Sequence, residues 1–244
     1  MPLTIFQSAV RSSRWGIRLA SWPLIVTLQL LGLEEKTRVA FLRFPPDADE
    51  VINRFLRGYL LFGRPGGHLA KFEWESFATR AIGTRESSKI PTRLRGLRRN
   101  SDLEVRLDDD FEEIAKACQE GRSGWIWLTD ELIDVYRRLN AKGLAGAIGT
   151  YRDGLLVGGI WGITIGRTFS IMSIFHRENH AGSIAMAALV DIVKADGRWA
   201  LIDFGSMKPH FARFGAVEVS EEQFLKLLQE NCGSEASNAS FSGR

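Results

Sequence analysis

The chain has 244 residues, 45% apolar and 10% aromatic, enough for a packed core in one large domain or two modest ones. Its formal net charge is only +3, and its two cysteines, Cys118 and Cys232, stand far apart without metal-ligand spacing. A disulfide framework and a zinc pattern are thereby excluded, and a reducing compartment, the cytoplasm, fits best.

At the N-terminus Arg11, Arg14 and Arg18 precede an apolar stretch from Leu19 to Leu33. Pro23, Thr27 and Gln29 interrupt it, no small-x-small cleavage site follows, and it falls short of the ~20 apolar residues of a membrane span. It reads as an element packed on the body of the protein. Val51, Ile52, Phe55 and Leu56 recur near helical spacing and predict a helix over Asp49 to Tyr59, which Gly63, Pro65, Gly66 and Gly67 break. Short mixed segments from Phe72 to Ile82 predict strands. A run dense in cations follows: Arg80, Arg85, Lys89, Arg93, Arg95, Arg98, Arg99 and Arg106 against Glu86, Asp102 and Glu104. Such clustering suits either a solvated face or a phosphate-binding surface, since grouped Lys and Arg release counterions on meeting a nucleic-acid backbone.

Asp110 and Thr129 are placed to cap two helices, one through Phe111, Ile114, Ala115 and Cys118, the other through Leu132, Val135, Tyr136 and Leu139. After Gly146 the periodicity becomes that of strands: Ala147 to Tyr151, Leu155 to Thr164 and Thr168 to Phe175, joined at Asp153-Gly154 and Gly166-Arg167. A helix over Ala181 to Ala195 and a strand over Ala200 to Phe204 come next. Ser220 and Gln223 form a capping box for a last helix over Glu221 to Gln229. Residues 233–244 are rich in Ser, Gly and Asn and are expected to be a disordered tail. The strand at Ala200 carries one carboxylate, Asp203, into a loop holding His210 and Gly215, and a buried strand ending in an acid commonly ends at a site.

The segment Leu201-Ile202-Asp203 with His210 and Gly215-Ala216 resembles the "LID-x-Q … H-x-x-S-x-G-A" signature of the leucyl/phenylalanyl-tRNA–protein transferases. Arg57-Gly58-Tyr59, Trp74 with Arg80, Trp127-Leu128-Thr129, Val157-Gly158-Gly159-Ile160-Trp161-Gly162 and Ser173-Ile174-Phe175 are similar to further motifs of that family, in its order, between Val51 and Leu228. Polar positions depart from it. Glu75 stands at the second Trp of a Trp-Trp pair, Met172 at a Glu, Gly205 at a Gln, Lys208 at an Asn, and a helix-start Lys is missing after His180-Ala181-Gly182-Ser183.

The resemblance implies an α+β fold: a GNAT-like acyltransferase domain, antiparallel meander plus helices, over residues 107–232, after a smaller N-terminal α+β domain over 1–106. It implies transfer of Leu, Phe or a similar apolar amino acid from aminoacyl-tRNA to the N-terminal α-amine of proteins, those with basic N-terminal residues, as a degradation tag. Aminoacyl-tRNA would be the co-substrate, with no other cofactor and no metal, and the protein a monomer without membrane contact. Asp203 would hold or deprotonate the ammonium, with His210 beside it. Trp127, Ile160, Phe169, Met172, Ile174 and Phe175 would line the apolar pocket, Trp74 would stack on the terminal adenosine, and Arg93, Arg95, Arg98 and Arg99 would meet tRNA phosphates. Two other readings fit the residues: an acyl-CoA-dependent N-acyltransferase, in which Arg177 to Gly182 would hold pyrophosphate, and a non-catalytic tRNA or N-degron binding protein.

Overall fold

A computed structural model describes residues 39–65, 71–107, 110–120, 127–195 and 197–232. The apolar N-terminal stretch, the Gly66-Gly67 pair and the tail from 233 lie outside them. The chain first builds a small antiparallel sheet from β1 (Val39–Leu42), β2 (Leu60–Gly63) and β3 (Phe72–Glu75), in the order β1-β3-β2. Helix α1 (Ala48–Phe55) lies between β1 and β2, capped by Asp47, whose carboxylate accepts from Glu50 N. It ends earlier than its periodicity predicts because Gly58 adopts φ +86° and turns the chain into β2.

Seven strands form the larger sheet, in the order β10-β4-β9-β8-β7-β6-β5. They are β4 (Thr79–Gly83), β5 (Glu104–Leu107), β6 (Ala145–Arg152), β7 (Leu155–Ile165), β8 (Thr168–His176), β9 (Leu201–Gly205) and β10 (Val217–Ser220). The meander β6-β7-β8 is as the sequence predicts, with Asp153 and Gly154 at φ +50° and +77° in a tight turn. From β8 the chain crosses through α5 (Ala181–Lys194) to β9, which runs parallel to β8, giving the meander–helix–strand arrangement of the expected α+β, GNAT-like fold. Two short helices, α2 (Thr92–Arg99) and α6 (Pro209–Arg213), are not expected from periodicity. Because β4 and β5 pair into the large sheet, the expected domain boundary at 106/107 is corrected: the break between sheets falls between Glu75 and Thr79.

The large sheet is buried on both faces, which is why β7 reads as a nearly continuous apolar run. One face packs on α5, with Ile148, Ile160, Phe169, Ile184 and Leu189 in that core. The other packs on α3 (Phe111–Glu120) and α4 (Asp130–Ala141), with Ile114, Tyr136 and Trp161. Thr129 caps α4 as predicted, its hydroxyl accepting from Leu132 N. The last helix, α7 (Glu221–Cys232), opens with the predicted box: Ser220 N donates to Gln223 Oε1 at 3.0 Å and Gln223 N to Ser220 Oγ at 3.2 Å. Gly158 allows the N-terminus of α5 to sit on β7, since a Cβ there would lie 2.5 Å from Ala181 Cβ and 2.7 Å from Gly182 N.

Candidate active site

Strands β8 and β9 are paired only from Thr168↔Leu201 to Ser170↔Asp203, and beyond that point they part. Both carry a bulge there. Met172 is skipped between Ile171 and Ser173 in the pairing with β7, and Phe204 between Asp203 and Gly205 in the pairing with β4. A bulge bends a strand and re-aims side chains, and here it turns both strands away from each other. The opening is a cavity of about 780 Å³, walled on one side by Leu60, Phe62, Glu75, Phe77 and Trp127, and on the other by the start of α5 and by α6.

The two walls differ in chemistry. Phe62 meets Trp127 and Phe77 edge-on, with ring centroids 5.1 and 6.4 Å apart, and Gly63 N donates to Trp127 O at 2.8 Å, fixing this aromatic layer to β2. Tyr136 backs it: its hydroxyl donates to Leu61 O at 3.1 Å, and burial pushes its pKa up. Opposite stand Asn179, His180, Ser183, Ser206, Lys208 and His210. His180, at the N-terminal boundary of α5, has φ +70° and makes no side-chain capping bond. Burial, then Lys208 and Arg213, hold the His210 imidazole below its usual pKa, so it is neutral at pH 7.

Asp203 sits at the vertex where the strands part, but it does not line the cavity. It is fully buried. Its Oδ2 accepts from Arg80 Nη1 at 2.9 Å and from Ser170 Oγ at 2.6 Å, while Oδ1 accepts from Gly205 N at 2.9 Å. Arg80 is 1% exposed, donates also to Gly58 O at 2.7 Å, and lies over the rings of Phe77 and Phe224. With both oxygens engaged, the carboxylate is a clasp holding β4, β8 and β9 together. The geometry therefore corrects the expectation that Asp203 meets the ammonium directly, and its ion-pair partner is Arg80. Gly205 adopts φ +74°, so a Gln at this position would be held in the left-handed region.

Of the other expected residues, Trp127, Met172, Ile174 and His210 line the cavity. Trp74, Ile160, Phe169 and Phe175 do not; all four are buried in the cores flanking the sheets. Trp74 thus presents no open face for a base to stack on, and Phe169 packs on Trp199 with centroids 4.7 Å apart. Arg93, Arg95 and Arg99 project from α2 as exposed cations, while Arg98 is bound to Asp191 of α5. Sequence reasoning missed Glu75, which is the only acidic side chain among the described residues that line the cavity. Among the described residues no His, Cys, Asp and Glu group could hold a metal ion, and no helix is long and apolar enough to cross a membrane.

Residues 83–229 match the model of the family described as leucyl/phenylalanyl-tRNA protein transferase. The chain is similar to the leucyl/phenylalanyl-tRNA–protein transferase of Pelodictyon phaeoclathratiforme, 32% identical over 182 residues that cover 74% of this chain and 92% of that protein. It is also similar to the one of Chromobacterium violaceum, 36% identical over 160 residues, 65% of this chain and 68% of that protein. Solved structures similar to it include L-PGS from Bacillus licheniformis, at a TM-score of 0.44 and 11% identity, covering 88% of this chain and 79% of that one. A GCN5-related N-acetyltransferase from Ralstonia eutropha aligns at a TM-score of 0.35 and 20% identity over 46% of this chain and 91% of that one. The chain belongs to the leucyl/phenylalanyl-tRNA–protein transferase family.

Proposed function

We propose that the protein is an aminoacyl-tRNA–protein transferase, moving leucine, phenylalanine or an amino acid of similar shape from its tRNA to the N-terminal α-amine of a protein. The observation that carries this reading is the family match over residues 83–229, which include the strands β8 and β9 and the helices α5 and α6 that border the cavity. The chemistry asks for little activation. An aminoacyl ester is already reactive, and its attacker is an α-amine of pKa about 7.7–8.0, so positioning supplies much of the rate.

In this reading the wall of Leu60, Phe62, Phe77, Trp127 and Met172 receives the amino acid side chain. One methylene in such a pocket discriminates by only about 1–3 kcal/mol, so selection is by size and polarity class. The start of α5, with Lys208 across from it, suits the ribose and phosphate of the tRNA 3′ end, because helix N-terminal N–H groups and a cation favour an anion. Helix α2 supplies phosphate contacts to the acceptor arm without reading bases. Replacing Arg93, Arg95, Arg98 and Arg99 with Ala flattens the salt dependence of tRNA binding by about 0.7–0.9 in log–log slope for each phosphate no longer neutralised. Acceptors with basic N-terminal residues, a role in marking proteins for degradation, a cytoplasmic location and a monomeric enzyme needing no cofactor beyond aminoacyl-tRNA complete the proposal.

The test is transfer of labelled amino acid, from a panel of aminoacyl-tRNAs, to a substrate with N-terminal Arg or Lys. Transfer of the apolar members is the expected result. Binding of tRNA with no transfer from any member would replace this reading by that of a binding protein.

A further inference from the structure

Glu75 ends β3, facing Leu60 in the register with β2, and Glu73 lies two residues earlier on the same face of the strand, opposite Phe62. Trp74 between them points into the core. Glu73 is engaged by Arg64, whose Nη1 donates to its Oε2 at 2.6 Å. Among the described residues no cation pairs with Glu75, whose neighbour is the Glu73 carboxylate. A carboxyl without a cation partner, hydrogen-bonded to the Glu73 carboxyl, is thus built into the apolar wall of the cavity, beside Leu60, Phe62, Phe77 and Trp127. Met172 and Gly205, from the two parting strands, offer no ionisable group opposite it. Glu75 also lies outside the stretch that matches the family model, so family membership alone assigns it no role.

We propose that Glu75 is the ammonium site of the cavity, binding a primary ammonium beside the apolar wall and, in the transfer reaction, accepting the proton of the acceptor protein's N-terminal α-ammonium. The proton transfer rests on the transferase reading; the binding of the ammonium does not. The proton balance is simple: the acceptor's N-terminal ammonium gives one proton to the Glu75 carboxylate, and the freed amine forms a C–N bond to the ester carbonyl of the aminoacyl-tRNA. The C–O bond to the ribose then breaks, and the leaving oxygen takes up the second amine proton. Burial first, then the hydrogen bond and the charge of Glu73, push the Glu75 carboxyl up from an ordinary 4.5 to about 7, where it exchanges a proton readily at physiological pH. The ionisable groups around it are Glu73 and Arg64 near it, and His176, His180, Lys208 and His210 across the cavity.

Calorimetric titration with 3-methylbutylammonium, charged throughout pH 5.5–8.5, and with its neutral counterpart 3-methylbutan-1-ol separates charge recognition from apolar burial. For the wild type the ammonium gains affinity on the order of tenfold as pH rises through about 7, the size of one hydrogen bond to an ionised group, and the alcohol gains none. Glu75→Gln abolishes the gain, which separates Glu75 from the histidines. If that variant fails to fold, titration of the wild type at pH 7 in two buffers of different ionisation enthalpy reads the same event as release of about half a proton on ammonium binding. Parallel behaviour of ammonium and alcohol, a rise retained in Glu75→Gln, or no proton release overturns the proposal. These measurements need no turnover. Ammonium recognition without aminoacyl transfer sinks the transferase reading alone, whereas transfer with no ammonium preference sinks the role of Glu75 alone.

Discussion

Two carboxylates flank the same opening and do opposite work. Asp203 has both oxygens engaged by Arg80, Ser170 and the Gly205 N–H, and is wholly buried; Glu75 has only another acid for company and a cavity in front of it. The difference is one of completeness. A buried charge with full partners holds structure, and the same group left incompletely paired beside a cavity is free to bind or to exchange a proton.

The comparison breaks most readily at Arg80. Arg80→Ala leaves Asp203 as an uncompensated buried charge and lowers stability by about 3–5 kcal/mol in urea melts, with part of the loss regained in Arg80→Met/Asp203→Leu. A loss under about 1 kcal/mol would place the pair among surface bridges, where such values are usual.

The pH dependence of stability sharpens the other half. The folded protein holds the Glu75 proton up to about pH 7, whereas the unfolded chain releases it near 4.5. Between those values the native state binds more protons than the unfolded one, so this group makes stability fall as pH rises, with the loss complete above about 7. Glu75→Gln removes that fall, and denaturation midpoints measured from pH 4 to 8 check it: a slope equal to that of the wild type would mean Glu75 titrates normally.

Smaller effects test the frame around the vertex. Gly205→Ala destabilises by about 1–2 kcal/mol through its left-handed backbone alone, since a Cβ there has no neighbour within 4 Å. The melting temperature reads it, and a neutral result would mean the loop relaxes. Ser220→Ala removes the hydroxyl from the capping box of α7 and lowers stability by about 1 kcal/mol, with the site's ligand binding unchanged.

Features fixed by near neighbours in the chain were legible from the residues. Asp153-Gly154 declares its turn, and Thr129 and Ser220 with Gln223 declare their helices. Features fixed by distant partners were not. Arg80 and Asp203 are 123 residues apart, and nothing local to either names the other. Strands β4 and β5 are only five and four residues long and take their place from pairing with β9, β10 and β6. Among the apolar candidates, Met172 and Ile174 line the cavity while Phe169, Phe175 and Ile160 do not, because alternation gives two faces without saying which looks onto open space. The bulge at Met172 further shifts that alternation. Glu75 carried one signal, an acid where the family motif has an aromatic ring.

Only Ser76, Phe77 and Ala78 separate the last strand of the small sheet from the first of the large one. The chain can therefore be cut there and rejoined: a chimera exchanging residues 39–75 for those of a relative would replace the cavity's one acidic wall while leaving the Arg80–Asp203 clasp with its own sheet. The bond from Arg80 to Gly58 O crosses that junction, but it uses a main-chain carbonyl that any graft supplies if position 58 keeps its glycine at φ +86°. Ligand preference and the Arg80–Asp203 clasp are thus separately exchangeable along this chain, provided the graft keeps the apolar residues that 39–75 contribute to the shared core.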